Sequence, residues 1–399
     1  MPERRPASRA PRPGPPPRDF ALEVYFSRWQ EAARHDLAAS HSETLSLAEL
    51  LALASDEDRA AWQQLALGYA DPRGSERLRR AIAAGYSALE PARVLCFAGA
   101  QEAIHAALHA LLGPGDHAVV VLPNYQSIET IPHGIAAVSG VALEAAHGWT
   151  LDIDAVERAL RPNTRLVAIN FPNNPTGKVL ERDRFEALVA LCRRRGLWLF
   201  SDEVYRLIER DPALRLPAAV DAYERGISLG ALSKSFGLPG LRIGWIACRD
   251  RRLLQRMERL KHYLSICNAA PSERLAAIAL EAAEPILARN RAIAATNLAL
   301  ISGFFAEHAD LFSWHVPEGG TVAFARYAGE DGVEAFCARA IEREGVLLLP
   351  ASVYRSALAP LPADRFRIGF GRAGVAAGLR ALSRVLPRAS AAPQPCAAD

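Results

Sequence analysis

GALSKSFGLPGLRIGW, residues 230–245, sets a lysine between two serines in a run rich in glycine. The chain holds 47 Lys+Arg, yet only three are lysines: Lys178, Lys234 and Lys261. Arginine stays protonated at any ordinary pH. Lysine gives up its proton when desolvated or set beside other cations, and then becomes a nucleophile. A lysine kept in so arginine-biased a chain points to amine chemistry, against the plain alternative that a few lysines survive by chance. Apolar runs flank it, Ile227–Leu232 before and Ile243–Ala247 after, and both read as buried strands.

Outward from that stretch the texture repeats. His117–Leu122, Arg165–Phe171 and Leu197–Ser201 read as short apolar strands. Helices read at Leu78–Tyr86, Ala100–Leu112, Arg182–Arg195 and Asp250–Leu264, with Pro114, Gly115 and Asp116 closing the second. Short apolar strands alternating with helices predict an α/β fold: a three-layer large domain with a mostly parallel central sheet. After Phe304, strands at Phe312–Val316 and Thr321–Arg326 alternate with helices at Val333–Glu344 and Val375–Val385, the texture of a smaller α+β domain. Helical apolar spacing also dominates Phe20–Leu53. The expected division is a tail over 1–18, an N-terminal segment over 19–55 packing with the small domain, a large domain over 56–290, a small domain over 291–388 and a tail over 389–399.

Composition narrows the function. Half of the 399 residues are hydrophobic and 23% are charged, as in an ordinary globular protein. A net charge of +3 gives no footprint for nucleic acid or an anionic membrane. The first 18 residues, rich in Pro and Arg, lack the apolar run of a secretory signal. No stretch approaches the ~20 apolar residues of a membrane span. Six scattered cysteines form no CxxC and no zinc spacing, which fits reduced thiols in a cytoplasm.

Ligands of an open α/β sheet bind beyond the carboxyl ends of its strands. Beyond those ends stand PNNPTG at 172–177, SDEVY at 201–205 and GALSKSFG at 230–237; a small-residue helix start, AGAQEA, lies at 98–103. With GYADPRGSERLRRAIA, PGD, LPNYQS and FRIGFGR, these segments stand in one order over roughly residues 65 to 372. In that order they resemble the fold type I pyridoxal phosphate (PLP) enzymes, the class I/II aminotransferase superfamily. The resemblance implies roles. Lys234 forms a Schiff base with the cofactor aldehyde and then shuttles the Cα proton through a quinonoid intermediate. Asp202 faces the pyridine nitrogen and keeps it protonated. Asn174 and Tyr205 hydrogen-bond the ring phenolate, and Tyr125 stacks on the ring. Backbone N–H groups of Ala100 and Gln101, with Ser233 and Arg242, hold the phosphate. Arg367 grips the substrate α-carboxylate. Tyr69 reaches the neighbouring subunit's phosphate, which implies a homodimer with shared sites and no metal.

Read singly, each residue has a plainer explanation. Asp202 serves as a helix cap, Asn174 as a turn residue before Pro175, Arg242 and Arg367 as surface charges, Tyr69 and Tyr125 as half-buried aromatics. Lys178, after a turn glycine, and Lys261, on the basic face of a helix, read as solvated. The sequence also departs from the aminotransferase pattern. Ala231 stands where a phosphate-binding Ser or Thr is usual. LAASHSETLSL, residues 37–47, replaces a glycine-bearing segment over the substrate. PASVY, 350–354, lacks the late glycine. His41, Ser42 and Glu43 offer polar contacts for a polar or cationic side chain, or else Ser40 and Glu43 form a helix capping box. These departures, with KHYLSICNAAPSERLA at 261–276, resemble the capreomycidine synthase-like branch, which cyclises a hydroxylated arginine. The readings are thus an aminotransferase passing an amino group from an α-amino acid to a 2-oxo acid, a cyclase or lyase of a guanidino amino acid in specialised metabolism, or a non-catalytic cofactor-binding protein. The last is disfavoured by the complete residue set.

Overall fold

The computed structural model describes residues 18–387. The expected tails, and Cys396, fall almost wholly outside the described residues. Apolar runs of Val, Leu and Ile make seven strands, ordered Val94–Phe97, Gly244–Cys248, Gly226–Ala231, Trp198–Asp202, Thr164–Asn170, His117–Leu122 and Ala137–Ala142. Gly244–Cys248 alone runs antiparallel to its neighbours; the other pairings are parallel. Every residue of His117–Leu122, Trp198–Asp202 and Gly226–Ala231 is buried. Parallel strands covered by helices on both faces need such continuous apolarity. Helices Ala100–Leu111, Arg182–Arg195 and Arg251–Lys261 belong to those layers.

A second, antiparallel sheet of four strands runs Leu349–Pro350, Arg365–Gly369, Val322–Tyr327, Phe312–Ser313. Phe304, Phe305, Phe312, Phe336 and Phe366 pack on one another against it. The 25-residue helix Ala283–Glu307 supplies two of these rings. Near the N-terminus His35–Asp36 pairs with Val346–Leu347.

The register decides where chemistry gathers. Asn170 stands beside Asp202, and Asp202 beside Leu229, at the carboxyl ends of adjacent strands. The segments after them therefore emerge together at one sheet edge.

Several expectations fail, each for a tertiary reason. Phe20–Leu53 is not a helical run: helix covers only Ala21–Trp29 and Leu47–Ala52, and 33–46 is extended apart from local turns. Arg34 N and His35 N donate to Gly345 O, Ser42 N to Lys234 O and Glu43 N to Gly371 O, bonds to distant segments that outweigh local helix propensity. The capping box lies six residues beyond Ser40 and Glu43, at Ser46 and Glu49. Ser46 Oγ accepts from Glu49 N at 3.2 Å, and Ser46 N donates to Glu49 Oε2 at 2.7 Å. The strands Val94–Phe97, Ala137–Ala142 and Arg365–Gly369 were not foreseen; Ala137–Ala142, AVSGVA, is a half-exposed edge with little β-branched content. Lys261 is fully buried, not solvated, and its Nζ donates to the carbonyls of Pro72 and Cys96.

Lys178 is not solvated either. Its Nζ lies 2.8 Å from Glu181 Oε1 and 3.1 Å from Glu318 Oε1, with its side chain 12% exposed. Glu318 Oε2 also accepts from Val179 N, and Glu318 N donates to Gly177 O. Lys178 thus fastens the 172–178 turn to the segment leading into Val322–Tyr327. Lys178→Met leaves two carboxylates without their cation and is expected to cost about 1–2 kcal/mol. The thermal midpoint of the apoprotein should fall by several degrees; an unchanged midpoint would show that the link contributes nothing.

Candidate active site

Strand Trp198–Asp202 ends on Asp202, 3% exposed, whose Oδ1 accepts from Val204 N at 3.2 Å. Burial pushes its carboxyl up from 3.8 to about 6, against the backbone bond and the pull of Lys234. Asn170 ties the two neighbouring turns together: its Nδ2 donates to Asp202 O at 3.1 Å and its Oδ1 accepts from Asn174 N at 2.8 Å. Within the turn, Asn173 is the structural asparagine, accepting from both N and Oγ1 of Thr176. Its neighbour Asn174 is thereby free to face the cavity.

Lys234 rises from the loop after Gly226–Ala231. Ser235 pins that loop by donating to the carbonyls of Val204 and Arg206 at 3.0 and 2.7 Å. Lys234 Nζ donates to Ser40 Oγ at 2.8 Å. Burial, then the nearby Arg367, brings its amine down from 10.5 to about 8. Tyr205 OH donates to Ser40 O at 2.7 Å. Arg367, 1% exposed, donates to Asn174 Oδ1 (3.1 Å), Tyr354 OH (2.8 Å) and Ala38 O (2.6 Å).

On the opposite wall, helix Ala100–Leu111 starts without a side-chain cap: its N-cap is Gly99, at φ +86°. A Cβ at Gly99 would stand 2.5 Å from Arg242 Nη2, so only glycine lets the guanidinium lie against the helix start. Uncapped N–H groups beside a guanidinium make a cradle for a multiply charged anion. The Gln101 side chain is occupied, accepting from Ser127 Oγ at 2.7 Å, so its backbone is the part on offer. Ser233 lines the same space and brings a hydroxyl close to where Ala231 has none. Tyr125 sits half-buried with its ring 5.2 Å from Phe20, and burial pushes its phenol up to about 12.

Ala100, Gln101, Tyr125, Asn174, Asp202, Tyr205, Ser233, Lys234, Arg242 and Arg367 therefore line one cavity of about 370 Å³. Of the cofactor and substrate residues read from sequence, Tyr69 lies elsewhere, 92% exposed; of the polar trio His41, Ser42 and Glu43, only His41 lines the cavity, Ser42 being fully buried and Glu43 Oε2 accepting from Ala373 N. Four residues were missed. Asn170 stood unremarked at the head of NFPNNPTG, and Tyr354 in the PASVY loop noted only for its lacking glycine. Ser40 was noticed only as a cap. Glu23, lining the cavity from helix Ala21–Trp29, gave no signal.

The chain matches the family Aminotransferase class I and II over residues 36–382. It belongs to that family. It is 32% identical to capreomycidine synthase of Streptomyces vinaceus over 94% of each chain. It is also 32% identical to the arginine–pyruvate transaminase AruH of Pseudomonas aeruginosa, over 75% of this chain and 77% of that one. The crystal structure of the PLP-dependent cyclase OrfR superposes with a TM-score of 0.83 at 31% identity, covering 95% of this chain and 98% of the other. The fold is that of the fold type I PLP enzymes, and pyridoxal 5'-phosphate is the cofactor.

The cavity fits that group. It offers an anion cradle at one end, a buried carboxyl for the ring nitrogen, an aromatic wall, and a lysine whose amine loses its proton near neutral pH.

In the apoprotein the buried charges of Asp202 and Lys234 cost stability in a pH-dependent way. Between about pH 4 and 6 the folded chain holds more protons at Asp202 than the unfolded chain does. Stability from this group is thus complete below about pH 4 and lost as pH rises through 6. At Lys234 the folded chain holds fewer protons between about pH 8 and 10.5, so stability climbs with pH there. Asp202→Asn apoprotein should be more stable than the wild type at pH 7, with the advantage shrinking toward pH 4, and should hold PLP about tenfold more weakly. Equal thermal midpoints at pH 7 would mean that the carboxylate bears no burial penalty.

Proposed function

We propose that this enzyme acts on a cationic, guanidino-type α-amino acid and closes a ring in it. The supporting observation is a charge balance. The cavity holds three cations, Lys234, Arg242 and Arg367, and three carboxylates, Glu23, Asp36 and Asp202. Arg242 answers the cofactor phosphate, Arg367 the substrate α-carboxylate, and Asp202 the pyridine nitrogen. Asp36 is paired with Arg372 at 3.3 Å. Among the described residues Glu23 has no Lys or Arg partner within 4 Å. A carboxylate left over at the mouth of the cavity repels an acidic side chain and suits a guanidinium, which it can bind through two parallel hydrogen bonds.

PLP, when bound, supplies an aldehyde for the substrate amine and a ring that accepts the electron pair left by the Cα proton. Lys234 takes that proton and later returns it. An electron pair at Cα expels a hydroxyl from Cβ; the C–O bond breaks and the hydroxyl leaves as water with one added proton. A guanidine nitrogen then forms the C–N bond at Cβ and gives up a proton, so the net change is loss of one water. His41 lines the cavity beside Ser40, and burial with Lys234 and Arg372 lowers its imidazole to about 4. It is neutral at pH 7 and placed to relay a proton between leaving and attacking groups. Arg367 would orient the α-carboxylate, and Asn174, whose Oδ1 accepts from Arg367, would have its amide N–H left to hold the cofactor's ring oxygen together with Tyr205.

A second reading is transamination of an arginine-type donor to a 2-oxo acid, with the same residues in the same roles. It is favoured by the similarity to the arginine–pyruvate transaminase. The ring-closing reading has the fuller match, 94% of each chain against 75%. We also propose that two copies share their sites. Leu67, Tyr69 and Tyr263 are 83%, 92% and 91% exposed, beside the half-exposed Leu264 and Ile266, a surface that a second copy would cover. Free cysteines among the described residues fit a cytoplasmic location.

Holoenzyme given a β-hydroxylated arginine and no oxo acid should turn over many times, with a product lighter by one water. Conversion of the cofactor to its amine form, stalled until an oxo acid is added, would establish the transaminase instead. Glu23→Gln should raise KM for the cationic substrate about tenfold with little change in kcat, the loss of one charge-assisted pair. An unchanged KM would place side-chain recognition elsewhere.

A further inference from the structure

Lys261 has no part in the chemistry of the cavity, yet it is one of three lysines in the chain and is 0% exposed. It ends helix Arg251–Lys261. Its Nζ donates to Pro72 O at 2.5 Å and to Cys96 O at 2.7 Å, and stands 5.7 Å from the centre of the Phe97 ring. Three directions of an ammonium are thereby used, two on carbonyls and one on a ring face. Cys96 belongs to Val94–Phe97, the edge strand of the large sheet, whose outer side has no strand partner among the described residues. The chain around Pro72 covers that edge: Cys96 N donates to Arg73 O at 3.0 Å, and Ser75 N donates to Glu273 Oε2 at 2.8 Å.

Three residues before Pro72 is Tyr69. The clamp therefore fixes the base of the arm that carries this exposed tyrosine. The backbone of Lys261 shapes a second projection. Its carbonyl accepts from Leu264 N at 2.9 Å and Ile266 N at 3.0 Å, and Ile266 is held at φ +65°, an unfavourable conformation for a β-branched residue. Tyr263, Leu264 and Ile266 project from that turn. Ser265 N donates to Glu102 Oε1 at 3.0 Å, and the other oxygen of Glu102 accepts from Ala98 N at the start of the anion cradle. One buried lysine thus joins the Tyr69 arm, the exposed turn and the sheet edge.

We infer that Lys261 is a positioning residue that acts across the subunit boundary: it holds the Tyr69 arm in place for the cofactor of the neighbouring copy. The inference rests on the proposed sharing of sites between two copies. Arginine does not substitute, because a flat fork with five donors leaves several unsatisfied in a space that offers two carbonyls.

Heterodimers separate this role from a local structural one. In the first, one subunit carries Lys261→Met and the other Lys234→Ala. The one site that keeps Lys234 then receives Tyr69 from a subunit with an intact clamp. In the second, a wild-type subunit is paired with a Lys234→Ala, Lys261→Met subunit, so its site receives Tyr69 from the unclamped arm. Cofactor affinity at the Lys234-bearing site is read by borohydride fixation and peptide mass, over a titration of PLP. The first heterodimer should match a control of wild type with Lys234→Ala. The second should bind PLP about tenfold more weakly, the loss expected for one charge-assisted hydrogen bond. Tyr69→Phe in place of Lys261→Met should reproduce the pattern, and Lys261→Gln serves if the Met variant aggregates. A defect confined to the first heterodimer, or equal in both, overturns the inference while leaving the dimer intact. Wild-type protein that sediments as a monomer overturns the shared-site reading and this inference together.

Discussion

Residues 37–43 are extended chain threaded between the two sheets, and the buried cations of the cavity are balanced against their polar groups. Ala38 O accepts from Arg367, Ser40 O from Tyr205 and Thr321, and Ser40 Oγ from Lys234. In return Ser42 N donates to Lys234 O, and Glu43 N to Gly371 O. A buried guanidinium without acceptors would cost several kcal/mol, so this strand of chain has to be where it is for Arg367 to be inside at all. The fit is close. Gly369 N donates to Leu37 O at 2.7 Å, and a Cβ at Gly369 would collide with Ala39 O. The strap thereby links the loop of Lys234, on the large sheet, to the strand of Arg367, on the small one. Whatever moves one sheet against the other moves the amine relative to the carboxylate grip.

The electrostatics make sense only for a cavity meant to be filled. Lys234 and Arg367 are like charges in one enclosed space, Asp202 is held above the usual carboxylate range, and the helix start at Ala100 is left uncapped. Each is a cost in the apoprotein. On the proposed reading each is relieved by a ligand of matching charge: a phosphate for the helix and Arg242, a protonated ring nitrogen for Asp202, a carboxylate for Arg367. A site that departs from local rules at so many adjacent points is the usual mark of function.

That pattern also explains what the sequence disclosed. Asp202, Asn174 and Lys234 sit at strand ends, where a short apolar run stops and a chemically specific segment begins, so motif and position coincide. The strap did not disclose itself. Its apolar spacing, read between Phe20 and Leu53, matches a helix, and donors more than 160 residues away, Tyr205 and Lys234, find their acceptors on Ser40 only when 33–46 is drawn out straight. Glu23 was invisible for a related reason: on a short N-terminal helix it is one more exposed acid until the fold lays that helix across the cavity mouth. Lys261 misled because its helix carries Arg252, Arg256 and Arg259, a basic face that marks water on every side but one. Asn170 and Tyr354 act through hydrogen bonds to other site residues, and periodicity contains no information about those.

Side-chain shape accounts for the chain's few lysines better than charge does. Almost every cationic position here is arginine, so the exceptions mark places where a guanidinium fails. At 234 it cannot lose its proton. At 261 it has too many donors for two carbonyls and a ring face. At 178 a compact charge sits at 2.8 and 3.1 Å from two carboxylates that approach from different segments, where a planar fork would engage one of them edge-on and turn its back on the other. The lysine that raised the question of amine chemistry is one of three answers to the same physical problem; of the other two, Lys178 fastens the turn beside its own site, and Lys261 holds the arm inferred to serve the neighbouring copy's.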